Sequence, residues 1–253
     1  MKRLLTSAVL IPPVLYVVLA APQWLFFCVV ALVSFVCFHE YGGIAAHYGI
    51  EKLGPVGYAA GLALLLVDSG QAALVTVLAL AALALAMRVD DLRQCLPQAG
   101  LLLIGIVYAF GPWKFAIELR DINPYWLLFA LLLNWVGDAC AYYAGRAFGT
   151  HRLAPRVSPG KTWEGTIISL SAAVLFGVAF NHWFRLELTI PEAVILSLIA
   201  NACGQIGDLS ESALKRGAGV KDSGNLLPGH GGLLDRVDST LFSMPAIYLF
   251  LQL

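Results

Sequence analysis

Asn201, Gln205, Asp208, Ser212 and Lys215 recur at three- and four-residue steps. On a helix of 3.6 residues per turn they fall within an arc of about 80°. The residues before them are apolar, so this polar stripe begins inside a hydrophobic helix. Polar groups there are costly and read first as functional, with an interhelical hydrogen-bond seam as the structural alternative. Glu211 lies beside the stripe. Further on, Asp235 and Asp238 stand at i and i+3 on one face, at the head of another apolar segment. A helix start favours negative charge, and capping alone is the simpler role for this pair. Between 208 and 238 the chain holds five carboxylates and four basic groups, Lys215, Arg216, Lys221 and Arg236. Hard oxygen ligands beside cations suit Mg²⁺ and phosphate groups.

Two further stretches carry polar groups. Asn134, Asp138, Tyr142, Gly145 and Gly149 also share an arc of about 80°, with glycines that permit close helix approach. Asp138, at a span end, reads equally as interfacial or functional. The segment Ser158-Pro159-Gly160-Lys161-Thr162-Trp163-Glu164-Gly165 offers Ser158 and Lys161 to phosphate oxygens, and Thr162 as an N-cap for the next helix. His230, between glycines, suits loop packing as well as base chemistry. His39 and Glu40 end an apolar segment and read as interfacial anchors, with substrate contact as the alternative. No P-loop, H-E-x-x-H or G-x-S-x-G pattern occurs. The five cysteines form no C-x-x-C pair, which argues against a zinc site or a disulfide framework.

The elements that must position these groups are membrane helices. Of the 253 residues 59% are hydrophobic and 13% charged, too few charges to hydrate a globule of this size. Nine apolar segments, near 4–21, 24–38, 54–67, 72–87, 99–113, 125–137, 165–184, 193–207 and 240–253, predict an all-α polytopic fold of about nine spans. An uncleaved first span fits 4–21 better than a signal peptide does. With the N-terminus inside, thirteen Lys/Arg fall in inside segments, and only Lys114, Arg120 and Arg185 fall outside. That bias supports the topology and places the polar segments 138–164 and 208–239, with a polar catalytic cavity, on the cytoplasmic side. Residues 1–124 read as a hydrophobic multi-span region of about five helices, and 125–253 as the catalytic region. Sixteen basic and sixteen acidic residues cancel, implying no nucleic-acid partner.

The run from Ser212 through Lys215-Arg216 and Lys221-Asp222 to Leu227-Pro228-Gly229-His230-Gly231-Gly232-Leu233-Leu234-Asp235-Arg236-Val237-Asp238 resembles the signature of the phosphatidate cytidylyltransferases. Gly137-Asp138 through Tyr142 and Gly149, and the Ser158-to-Gly165 segment, fit as well, except that Gly160 stands where Lys is more usual. The resemblance covers roughly residues 134–240. It implies synthesis of CDP-diacylglycerol and pyrophosphate from CTP and phosphatidic acid, with Mg²⁺ and room for a second, monovalent cation. It also implies a homodimer whose site opens sideways to membrane lipid. Carried over by position, Asp208 and Asp235 look like metal ligands, and Asp238, Ser212 and Lys215 like the rest of the catalytic core. Arg216, Lys221, His230, Arg236, Ser158, Lys161 and Asp138 would serve substrate phosphates. Two other readings stay open: a CTP-dependent polyprenol or lipid kinase, and a cation-coupled transporter. A short chain without a transit peptide suggests a bacterial inner membrane.

Overall fold

The computed structural model describes residues 2–49, 54–226 and 231–253, and within them the chain forms nine α-helices and one hairpin. The helices are α1 (Lys2–Leu19), α2 (Gln23–Ala46), α3 (Pro55–Leu66), α4 (Gln71–Ala86), α5 (Cys95–Ile122), α6 (Pro124–Phe148), α7 (Trp163–Phe184), α8 (Ile190–Gly217) and α9 (Leu234–Leu251). Each grows from one of the nine apolar segments. Five of them (α2, α5 with the short turn before it, α6, α7 and α8) are long and apolar enough to cross a bilayer. The molecule is a helical integral membrane protein. At 1.5 Å per residue α3 and α4 rise only about 18 and 24 Å, short of a ~30 Å hydrocarbon core.

Helix α5 is the central post, packed by α2, α3, α4, α6 and α9. Its buried face, including Ile106, Phe110 and Trp113, carries much of the core. Helix α3 lies close because it offers glycines there: a Cβ at Gly61 would sit 2.3 Å from the Phe110 ring, and one at Gly57 would sit 2.4 Å from Phe38. Arg120, near the end of α5, is buried beneath the α1–α2 turn. It donates to Val18 O at 2.8 Å, Gln23 Oε1 at 2.7 Å and Ala21 O, and its guanidinium lies 4.4 Å from the Phe26 ring centre. It satisfies carbonyls that the end of α1 leaves without partners. Lys114 bonds Asp68 Oδ1 at 2.7 Å in the α3–α4 connection.

Three boundaries differ from the sequence reading. Helix α2 continues past His39 and Glu40 to Ala46, so these residues lie within the helix and do not end it. Helix α6 runs through Asp138 to Phe148 and α8 through Asp208 to Gly217, so the connections shrink to 149–162 and 218–233. Polar side chains on one face lower the hydropathy of a helix without breaking it. Finally, 149–162 is not plain loop: β1 (Arg152–Ala154) and β2 (Ser158–Thr162) pair antiparallel, the one departure from an all-α fold among the described residues.

Candidate active site

The polar faces of α6, α8 and α9 meet. At the inner end they form a hydrogen-bond seam. Buried Asn134 donates to Ser243 Oγ at 2.7 Å, and buried Asn201 accepts from Ser169 Oγ at 3.1 Å and from Gln205 Nε2 at 2.8 Å. Glycines let the helices close on it: a Cβ at Gly137 would lie 2.3 Å from Asn201 Nδ2, and one at Gly204 would lie 2.2 Å from Asn134 Oδ1. Asn201 and Gln205, the first two members of the α8 stripe, thus lie in an interhelical seam, and Asp208, Ser212 and Lys215 follow beyond it.

One turn on, Asp208 Oδ2 pairs with Lys161 at 2.7 Å, and Ser212 Oγ donates to Asp208 Oδ1 at 3.3 Å. Lys161 arrives on β2, which Thr162 fastens to α7 by accepting from Gly165 N. The expected N-cap is present. A Cβ at Gly149 would meet Thr162 Cγ2 at 2.7 Å, which explains a small residue there. Glu164, in the first turn of α7, accepts from Thr150 Oγ1 at 2.6 Å and bonds the His151 ring at 2.7 Å, locking the hairpin base. Asp138 lies near Asp208, Asp238, Lys161 and Ser239, and Asp138 is exposed.

Deeper, the arrangement changes. Lys215 is buried and bridges two carboxylates, Glu211 Oε2 at 2.8 Å and Asp235 Oδ1. The other oxygen, Asp235 Oδ2, accepts from Ser223 N at 2.9 Å and Gly232 N at 2.8 Å, and lies 3.0 Å from Ser223 Oγ, whose one hydrogen it shares with Glu40. Glu40 reaches the same place from α2. It accepts from Leu233 N at 2.9 Å, Leu234 N at 2.8 Å and Ser223 Oγ at 2.8 Å. Only 6% of Glu40 is exposed, so the interfacial-anchor reading fails for it. An acidic residue inside an otherwise apolar segment was the signal available. Glu211 is wholly buried; its Oε1 meets no hydrogen-bond donor among the described residues, and the Asp238 carboxylate is its neighbour.

Arg216 turns back to Val220 O at 3.0 Å, while Lys221 and Arg236 are exposed and form no ion pair among the described residues. Ser158 is half-buried on β2. His230 lies outside the described residues.

Among the described residues, no three carboxylate, imidazole or thiol groups converge as a ready metal cage. The donor chemistry near Asp208 nonetheless suits a hard cation. Asp208 is partly exposed with a single lysine partner, it neighbours Asp138 and Asp238, and a donorless carboxylate oxygen is buried behind them. Asp235 differs in degree: it is nearly enclosed and its Oδ2 alone already meets three donors, whereas each Asp208 oxygen has one partner and the side chain is partly exposed. The two aspartates expected to share a metal have separate cationic partners, Lys161 and Lys215.

A family model described as "Cytidylyltransferase family" matches residues 1–253. The chain is 38% identical over 159 residues to a phosphatidate cytidylyltransferase of Bacillus subtilis, covering 62% of this chain and 59% of that one. It is 43% identical over 153 residues to one of Haemophilus influenzae, covering 57% and 53%. A Staphylococcus saprophyticus relative of the same name is 38% identical over 153 residues, covering 60% and 59%. The matched stretch thus spans between half and two thirds of these relatives' length.

Proposed function

The chain belongs to the cytidylyltransferase family, and from that premise we propose that it transfers the cytidylyl group of CTP to phosphatidic acid, giving CDP-diacylglycerol and pyrophosphate. The relatives above bear that activity in their names. The observation that carries the reading is the half-open cluster of Asp208, Asp138 and Asp238 with Lys161, set against helices that are otherwise apolar. A phosphatidate oxygen attacks the α-phosphorus of CTP in line, and the bond to pyrophosphate breaks. Phosphatidate is already ionised, so no strong base and no covalent enzyme intermediate is required. Catalysis then rests on positioning and on neutralising charge. Lys161, Lys221, Arg216 and Arg236 are the cations available for the phosphates. Mg²⁺, when bound, would supply charge neutralisation at phosphate oxygens. Asp208 with its acidic neighbours is the better fit for it, whereas Asp235 would first have to release its present partners.

We further propose nine spans with the N-terminus and the site on the cytoplasmic side of a bacterial inner membrane, in a homodimer open to membrane lipid. Residues 125–253 would carry most of the catalytic groups, with 1–124 as their support. The basic asymmetry supports this orientation. Two of the three basic residues assigned outside, Lys114 and Arg120, are buried and internally bonded. Cysteines placed at 155 and 225 should be unreactive to an impermeant reagent added outside intact cells; labelling of either refutes the topology. The activity test incubates purified protein with radiolabelled CTP, phosphatidic acid and Mg²⁺, and looks for cytidine label in the lipid phase. Equal turnover with diacylglycerol or a polyprenol as acceptor would move the assignment to a kinase-type reaction.

A further inference from the structure

Resting on the reaction proposed above, we infer that Glu40, in the N-terminal region, is a positioning residue of the site. It seats both described flanks of the 218–233 connection and the first turn of α9. Its carboxylate accepts from Leu233 N, Leu234 N and Ser223 Oγ, which belong to segments more than 180 positions away in sequence. The first two are N–H groups at the start of α9, which no partner within that helix can satisfy. A buried carboxylate persists only when it is well hydrogen-bonded, and Glu40 meets that condition through these segments.

The fit leaves no slack. A Cβ at Gly232 would lie 2.3 Å from Glu40 Oε2, and one at Gly224 would lie 2.9 Å from Glu40 Oε1, so the backbone approaches the carboxylate on both sides. Ser223 Oγ stands between Glu40 Oε2 at 2.8 Å and Asp235 Oδ2 at 3.0 Å, joining the α2 carboxylate to the one that grips Lys215. Asp238 follows Asp235 by one turn on α9. Its placement beside Asp208 therefore depends on where that first turn is seated. Glu40 reaches no reacting group itself; it acts through the connection and α9.

Glu40→Gln keeps the volume of the side chain but leaves one acceptor oxygen for three donors, and turns an amide N–H₂ toward one of them. In purified protein, kcat should fall about 10-fold or more while KM for CTP changes less than about 3-fold, because both carboxylate oxygens are engaged by the backbone and hydroxyl donors they seat. The second readout needs no activity. A thiol at Ala218→Cys, buried at the start of the connection and measured against the native-cysteine background, should label several-fold faster when Glu40 is Gln. Ser223→Ala, which cuts only the hydroxyl link, should give a smaller loss of the same kind. Combined with Glu40→Gln it should add less than about 2-fold, since both break one seat. Wild-type kcat and labelling in Glu40→Gln overturn the inference, and so does a kcat loss with unchanged labelling. Where Glu40→Gln fails to fold, Ser223→Ala decides, and wild-type values for both readouts overturn it. If the unsubstituted protein makes no CDP-diacylglycerol, the proposed reaction fails, while the labelling comparison still decides whether Glu40 seats the connection.

Discussion

Asp208 and Asp235 are the same residue type, both expected to hold metal, and the fold treats them oppositely. Asp208 is partly exposed and engages one lysine and one distant hydroxyl. Asp235 is nearly enclosed and takes a lysine, two backbone N–H groups and a hydroxyl. Enclosure with satisfied partners marks a group that holds structure together. Exposure with spare acceptor capacity marks one able to receive a ligand. The two regions meet at Asp238, whose neighbours include Glu211 from the enclosed side and Asp208 from the open side.

The sharpest way to break this contrast is Lys215→Met. Lys215 is the cation that Glu211 and Asp235 share, and a methionine leaves both carboxylates buried without it. Removing one partner of a buried pair typically costs about 3–5 kcal/mol. The thermal inactivation midpoint in detergent should drop steeply along with the yield of monodisperse protein. A stable, folded Lys215→Met variant would mean that the enclosed cluster is no structural knot.

Asp208→Asn comes next and should separate chemistry from folding. It keeps the size of the side chain and removes its charge, and the amide N–H₂ that replaces one oxygen lies at a partly exposed position where water can serve the displaced donor. Turnover should fall at least ~10²-fold, in keeping with the several kcal/mol of charge stabilisation at a metal–phosphate centre. The inactivation midpoint should stay close to that of the unsubstituted protein. Asp235→Asn, in contrast, should lower both, because one amide oxygen cannot serve Ser223 N, Gly232 N and Lys215 together. Mg²⁺ titrations of both variants test the pair. If Asp235→Asn loses turnover while keeping its midpoint, the two aspartates act alike and the contrast fails.

Apolar runs marked all nine helices in the sequence, because burial in lipid or in a bundle demands them whatever the contacts are. The α8 stripe and the close approaches at Gly145 and Gly149 were legible for the same local reason: helical spacing puts each set on one face. The partners were not. Glu40 meets Leu234 from 194 positions away, and Arg120 meets Val18 from 102, distances across which no periodicity carries information. Hydropathy also cut α6 short at Asp138, since residues facing a polar site resemble loop. The filling of Asp235's oxygens depends on where Ser223 and Gly232 lie, which spacing alone does not reveal.

Gly232→Ala probes the enclosed side more gently. Its Cβ would fall 2.1 Å from Ser223 Oγ and 2.3 Å from Glu40 Oε2, so side chains or backbone must shift. Overpacking of this kind costs about 1–3 kcal/mol. The midpoint should fall by less than in Lys215→Met, and kcat should fall with it through the displaced start of α9. A wild-type midpoint would show that the connection has room the geometry denies.

The smallest effect belongs to a carboxylate outside both clusters. Glu187 sits in the short connection between α7 and α8, exposed, with φ of 63° and no ion pair among the described residues. Glu187→Gln is the same chemical change as Glu40→Gln: an oxygen becomes an amide nitrogen and one negative charge disappears. At Glu40 that change turns a donor against a backbone N–H in a buried seat. At Glu187 water accommodates either group, and the backbone strain is common to both residues. Surface changes of this kind stay within about 0.5 kcal/mol. Midpoint and turnover should therefore match the unsubstituted protein within error. A loss at Glu187 comparable to that at Glu40 would mean that removing any carboxylate charge, not the loss of a seat, is what such assays detect.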